Sequence, residues 1–233
     1  MAECSGKVES IYCGSGVDGK GLRVVVFFGG CNLRCPFCHN PETLYRECGK
    51  TTASVVVERC LRYRRYIRRG GVTLSGGEPF FQPEFCLAII DGLKAENIDV
   101  AVETNGHIVN REIIATADSF IVDVKNQTSS DLSAYENFLS ECDRAGKAVF
   151  LTNVLVPGVN DSEIKIAPLS ALKKSHTCVR GFKFLPFRKL CEHKYAELGI
   201  AFPFATFPEA EEDDVDRATR SLSEETVCPQ EKF

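Results

Sequence analysis

Three cysteines set out the chemistry open to this chain. Cys31, Cys35 and Cys38 place three thiols within one short stretch, GGCNLRCPFCHNP. Thiolates this close together are soft ligands suited to zinc or to an iron–sulfur cluster. A structural zinc ion wants a fourth ligand, and the only nearby candidate, His39, adjoins Cys38 and is badly placed to complete a tetrahedron. A four-iron cluster ordinarily takes four cysteines, so three leave one iron open to an outside ligand. The spacing therefore predicts an iron–sulfur centre with one open iron as the working part of the protein. Cys4, Cys13, Cys48, Cys60, Cys86, Cys142, Cys178, Cys191 and Cys228 show no ligand spacing and read as small, reduced residues, several of them buried.

The elements that must position these thiols read as strands alternating with helices. Apolar, β-branched runs fall at Arg23–Phe28, Val72–Ser75, Asp99–Thr104, Phe120–Lys125, Ala148–Val156 and Gly181–Phe187. Helical patterns lie near Ser54–Arg69, Pro83–Glu96, Asn110–Ala117, Asp131–Ala145 and Asp161–Lys174. This alternation predicts an α/β fold with a parallel sheet covered by helices. Six units are too few to close an eight-stranded barrel, so an open or partial barrel is expected; a doubly wound sheet would give the same pattern. With no repeat or low-complexity linker, residues 1–233 read as one domain, with 204–233 as its acidic extension.

Every unusual motif follows a strand. The cysteine loop comes after the first, Gly76-Gly77-Glu78 after the second, and Glu103-Thr104-Asn105 closes the third. Asp123 and Lys125 end the fourth, VPGVND follows the fifth, and LPF the sixth. The carboxyl ends of parallel strands form the active-site face, so the layout is that of an enzyme. Gly76 and Gly77 allow close backbone approach to a ligand, and Glu78 could accept from a cationic amino group. Glu103 and Asp123 put two carboxylates on the rim, which repel unless a proton or cation lies between them. Asn40 reads as a turn residue before Pro41, and Lys125 as a cation facing a carboxylate or solvent.

Composition excludes several classes. The net charge of −4 without a long basic tract argues against nucleic acid as a partner. The start, MAECSGKVES, has no apolar run of the signal-peptide kind, and no stretch is apolar for the length of a membrane span. The expectation is a cytoplasmic protein with reduced cysteines. Arg59, Arg62, Arg64, Arg65, Arg68 and Arg69 cluster locally and are answered by the acidic run Glu209–Asp216. Each reads as a solvated helix face; alternatively Arg62, Arg65 and Arg69 would dock an acidic electron donor.

The cysteine motif with its surroundings resembles the radical S-adenosylmethionine superfamily. GKVESIYCGSGVDGKGLRVVVFFGGCNLRCPFCHNPET, SGGEP, ETNG, DVK, VLVPGVND and FLPFRKLCEHKYAELGI are similar, in order, to the glycyl-radical-enzyme activases of the pyruvate formate-lyase type. The resemblance spans roughly residues 7 to 203. It implies a partial (β/α)6 barrel and a [4Fe-4S] cluster on Cys31, Cys35 and Cys38. One electron from the cluster would cleave bound S-adenosylmethionine to a 5′-deoxyadenosyl radical, which takes a hydrogen atom from a glycine Cα of the partner enzyme. It further implies cofactor contacts at Phe37, His39, Asn40, Gly76, Gly77, Glu78, Glu103, Asn105 and Lys125, and a sodium or potassium site at Glu103, Thr104 and Asp123. Asp18, in Val17-Asp18-Gly19-Lys20-Gly21, would face the partner's glycine loop, and flavodoxin or ferredoxin would supply electrons to a monomer. Lys20 replaces the proline of that segment, Thr152 stands where the family has a cofactor-binding arginine, and Arg188 where it often has histidine. These departures leave open which glycyl radical enzyme is activated. No ferredoxin-like insert follows the first motif, which favours pyruvate formate-lyase. A radical enzyme acting on a small molecule, and a non-catalytic zinc or electron-carrier module, are the competing readings.

Overall fold

The computed structural model describes residues 3–127 and 129–223. The strands are β1 (Ser5–Ser15), β2 (Arg23–Phe28), β3 (Lys50–Thr52), β4 (Gly71–Gly76), β5 (Val100–Thr104), β6 (Ser119–Asp123), β7 (Ala148–Leu155) and β8 (Val179–Pro186). They form one sheet in the order β3-β1-β2-β4-β5-β6-β7-β8. From β2 onward every neighbouring pair is parallel, while β1 and β3 are added antiparallel at one edge. The sheet curls without closing, which is the partial barrel expected from the strand–helix alternation.

Burial on both faces explains the apolar strands. Val24, Val26 and Phe28 of β2 join the main core against the helices, as do Val72, Leu74, Val100, Val102, Phe120 and Val122. The alternate positions Arg23, Val25, Thr73, Ser75, Glu103 and Asp123 take the opposite, concave face. The covering helices are α2 (Ala53–Leu61), α3 (Pro83–Ala95), α4 (Arg111–Thr116), α5 (Ser133–Arg144) and α6 (Glu163–Ser175); α1 (Glu42–Tyr45), α7 (Glu192–Glu197) and α8 (Glu212–Ser223) complete the fold.

Two expectations are corrected. The helix expected over Ser54–Arg69 ends at Leu61, and residues 62–70 continue as successive turns. Arg62, Arg65, Arg68 and Arg69 would stack like charges at helical i,i+3 and i,i+4 spacing, which a continued helix could not relieve. The acidic helix α8 packs on α6 and β8, at the sheet edge away from the arginine segment, so the two charge runs do not answer one another. The part of the acidic extension after Ser223 lies outside the described residues.

His176 ties α6 to α5. Its ring, 7% exposed, sits 2.7 Å from both Asp143 Oδ2 and Glu136 Oε2. Burial opposes the charge, but hydrogen bonds to Glu136 and Asp143 outweigh it and hold the imidazole above 6.5. A raised folded value contributes stability below the unfolded pKa that is lost as pH rises through the folded one. The gap in melting temperature between the native protein and His176→Gln should therefore be largest near pH 6 and shrink towards pH 8.5. A pH-independent gap would exclude the charged ring.

Candidate active site

The cysteine loop leaves the end of β2. Gly29 N donates to Lys7 O at 3.0 Å and Gly30 N to Thr43 O at 2.7 Å, so the loop is tethered before Cys31. The Gly76–Gly77 turn after β4 packs directly on it. Gly77 N donates to Phe28 O and Glu78 N to Gly30 O, each at 2.9 Å. A Cβ on Gly77 would lie 1.9 Å from Gly30 O, and Gly76 holds φ +105. The close approach these glycines permit is thus to the cysteine loop's own backbone.

Cys31, Cys35 and Cys38 are free thiols of intermediate exposure. Leu33 N donates to Cys31 Sγ at 3.4 Å, and Asn105 Nδ2 approaches it at 3.7 Å. Burial pushes all three thiols up, and the Lys125 ammonium opposes this at each. Among the described residues, no three His, Cys, Asp or Glu side chains are grouped as ligands of a single metal ion. His39 Nε2 donates to Arg188 O at 2.8 Å.

Glu78 is fully buried. Its Oε1 accepts from Phe80 N at 3.1 Å and Thr104 Oγ1 at 2.8 Å, and its Oε2 from Asn105 N at 2.8 Å. With no exposed face, it braces the ends of β4 and β5. Burial pushes its carboxyl up to about 7. Thr104 Oγ1 also accepts from Gly106 N at 3.1 Å, and Asn105 Nδ2 donates to Asn32 Oδ1 at 2.8 Å. Through this chain of bonds the end of β5 reaches the cysteine loop.

The two rim carboxylates each have a partner. Ser75 Oγ donates to Glu103, whose carboxyl burial raises to about 7, and Lys125 Nζ pairs with Asp123. The ammonium also lies 5.3 Å from the centre of the Phe37 ring. Burial works against its charge, but the Asp123 carboxylate and the Cys35 sulfur hold it well above the usual lysine range. Asp123 and Thr152 are register partners on β6 and β7, and Asp123 Oδ1 and Thr152 Oγ1 are buried without a hydrogen-bond partner among the described residues. A cavity of about 240 Å³ is lined by Cys35, Arg34, Lys125, His107 and Asp131 among others.

Some supporting residues escaped the sequence reading. Lys194 Nζ on α7 donates to His39 O at 3.0 Å, Asn40 Oδ1 at 3.2 Å and Glu42 Oε1 at 2.6 Å. Tyr195 OH donates to Cys38 O at 3.1 Å. Under them Phe37 packs in a small second core with Phe187, Tyr195, Phe202 and Phe204. The only signal was their place in the matching block near the chain's end. Asn40 serves as the expected turn residue, its carbonyl accepting from Thr43 N and Oγ1. The Arg188 guanidinium donates to Ala210 O at 2.7 Å. Lys194→Met should leave the fold intact but weaken metal retention at the cysteine loop by about 10–100-fold, as loss of outer-shell support does. Iron release to a chelator after anaerobic reconstitution measures it.

The arginine segment lies elsewhere. Gly70 and Gly71 abut Leu22, at the amino ends of β2 and β4, whereas the cysteine loop follows the other end of β2. Six strand residues, about 20 Å, separate the two rims. An electron donor docked on Arg62, Arg65 and Arg69 would therefore sit far from the thiols, against the sequence expectation.

Comparison with known proteins places the chain in a family. The 4Fe-4S single cluster domain family matches residues 17–139. The chain is 35% identical over 210 residues to the pyruvate formate-lyase-activating enzyme of Clostridium pasteurianum, covering 84% of this chain and 88% of that protein. The enzyme of the same name from Streptococcus mutans is 29% identical, covering 95% and 92%. A radical SAM methyltransferase from Sphaerobacter thermophilus superposes with a TM-score of 0.61 at 20% identity, covering 86% of this chain and 63% of that one. Streptococcus suis SuiB bound to S-adenosylmethionine gives 0.56 at 17%, covering 71% and 42%; these two likenesses concern the fold alone. By motif, fold and descent, the chain belongs to the pyruvate formate-lyase-activating enzymes, a family of radical S-adenosylmethionine oxidoreductases.

Proposed function

We propose that this protein installs a glycyl radical in pyruvate formate-lyase, using a [4Fe-4S] cluster and S-adenosylmethionine. The observation that carries the reading is the gathering of three free thiols, a half-buried ammonium and two buried polar atoms unpartnered among the described residues on one rim of a partial barrel. This donor set fits the two groups. Three sulfurs with no fourth suit a cluster with an open iron, and Asp123 Oδ1 and Thr152 Oγ1 want partners that a polar cofactor would supply.

Cys31, Cys35 and Cys38 would hold the cluster. When bound, the cluster and S-adenosylmethionine supply one electron and a 5′-deoxyadenosyl radical able to take the glycine hydrogen. Leu33 N and Asn105 Nδ2 stabilise negative charge on Cys31 Sγ. Lys125 presents its ammonium to a carboxylate, and the Gly76–Gly77 turn seats against the cysteine loop. Phe37, 2% exposed, keeps water from beneath the thiols. A sodium or potassium ion at Glu103, Thr104 and Asp123 would have to displace Lys125 from Asp123. Asp18 faces the incoming glycine segment from the concave side, its backbone oxygen held by Thr73 Oγ1 at 2.6 Å. The protein would work as a cytoplasmic monomer reduced by flavodoxin or ferredoxin.

Anaerobic mixing of the reconstituted protein with pyruvate formate-lyase, S-adenosylmethionine and a reductant should give the doublet of a glycyl radical in electron paramagnetic resonance. Silence with several glycyl radical enzymes would remove the reading. Cofactor consumption coupled to a small product without any partner protein would replace it.

A further inference from the structure

At the amino-terminal rim, residues 62–70 expose Arg65, Arg68 and Arg69, which form no ion pair among the described residues. Arg62 and Arg64, by contrast, are paired with Glu58 and Glu96. Between the free arginines Tyr66 is 70% exposed, while Ile67, 1% exposed, anchors the segment in the core. Exposed arginine and tyrosine held on a rigid base are what protein interfaces enrich at their centres.

This segment is continuous with the loop that carries Asp18. A Cβ on Gly21 would lie 2.5 Å from Arg69 O, and one on Gly70 would lie 2.0 Å from Leu22 O, so the two backbones are in direct contact. The loop is fixed from inside by Arg23, 1% exposed, which donates to Lys20 O at 3.2 Å, Thr73 Oγ1 at 2.7 Å and Asp99 Oδ1 at 2.8 Å. It presents Lys20 and Val17, the latter 78% exposed, on the same rim. The opposite rim holds the cysteine loop, about 20 Å away along β2.

We propose that Arg65, Tyr66, Arg68 and Arg69, with Lys20, form the docking surface for the folded glycyl radical enzyme, through an acidic surface beside its glycine loop. The proposal rests on the activase reading and on Asp18 facing that loop. Charge at this rim steers the partner so that its glycine segment enters beside Asp18, while the cofactors are held from the other rim. The electron donor is the rival occupant, and distance from the thiols disfavours it. Opposite charges separated by more than about 8 Å are screened at physiological salt, so the attraction should weaken as salt rises.

The test compares wild type with R65E/R68E on intact pyruvate formate-lyase and on a short peptide bearing its glycine sequence. With dithionite as reductant, the KM for the intact enzyme should rise roughly tenfold or more at low salt, and the difference should shrink at high salt. Activation of the peptide and cleavage of S-adenosylmethionine without partner should stay within twofold, which also shows that the variant is folded. R65Q/R68Q should fall between the two. An unchanged KM overturns the proposal. So does slower cluster reduction by flavodoxin with an unchanged KM, which would assign the surface to the electron donor. If wild type forms no radical on either substrate, the activase reading fails and the docking proposal with it; if wild type succeeds and the variant matches it, only the docking proposal fails.

Discussion

Replacing Cys38 by alanine should abolish radical formation, with a loss of at least roughly a thousandfold, or about 4 kcal/mol of barrier. Cys38 has intermediate exposure and its sulfur takes only a backbone hydrogen bond from Asn40; its other structural bonds are backbone ones, N to Cys35 O at 3.1 Å and O from Tyr195 OH. The variant should therefore melt close to wild type while retaining little iron and no reduced-cluster resonance. The same should hold for Cys31 and Cys35. Cys13, on β1 and of intermediate exposure, belongs to no such group, and Cys13→Ser should keep full iron and activity. Equal iron content in Cys38→Ala and wild type would exclude the three-thiol site.

The second large effect is expected at Glu78, and it is one of stability. Glu78→Ala would strand Phe80 N, Thr104 Oγ1 and Asn105 N, all buried donors. Each stranded donor costs about 1–3 kcal/mol, so about 3–6 kcal/mol is expected after partial relaxation. That is comparable with the whole stability of many domains. Glu78→Gln keeps one acceptor and should lose about 1–2 kcal/mol. The pH sign follows from burial, which lifts the carboxyl from 4.5 to about 7 in the folded protein. Its contribution is complete below 4.5 and falls as pH rises through 7, so the gap between wild type and Glu78→Ala should narrow from pH 5 to pH 8. Urea denaturation at both pH values measures it, and a loss under 1 kcal/mol would show that the three donors find other partners.

Much of the scaffold was legible because parallel strands buried on both faces are nearly continuous apolar runs. RVVVFF is β2 over the expected residues, and the other parallel strands shift by only a residue or two at their ends. β1 was not legible. SGKVESIYCGS alternates exposed and half-buried positions, and becomes a strand by pairing with β2 and β3 on either side. The end of α2 was missed because hydrophobic periodicity continues through Tyr63, Tyr66 and Ile67, while the charge repulsion that breaks it depends on which side chains share a face.

By itself the sequence determined the three thiols, their spacing on one loop after the first parallel strand, and the placing of every odd motif at strand ends. These are local facts, written in adjacent residues. What only the tertiary structure decided are pairings between distant segments. Lys194 reaches His39 across 155 positions of chain, and Glu78 proves to be a buried brace for Thr104 and Asn105. The arginine segment lies on the rim away from the thiols because strand direction sends Leu22 and Gly70 to one end and Cys31 to the other. A side chain's type is set where it is encoded; what it faces is set by the strands that pack beside it.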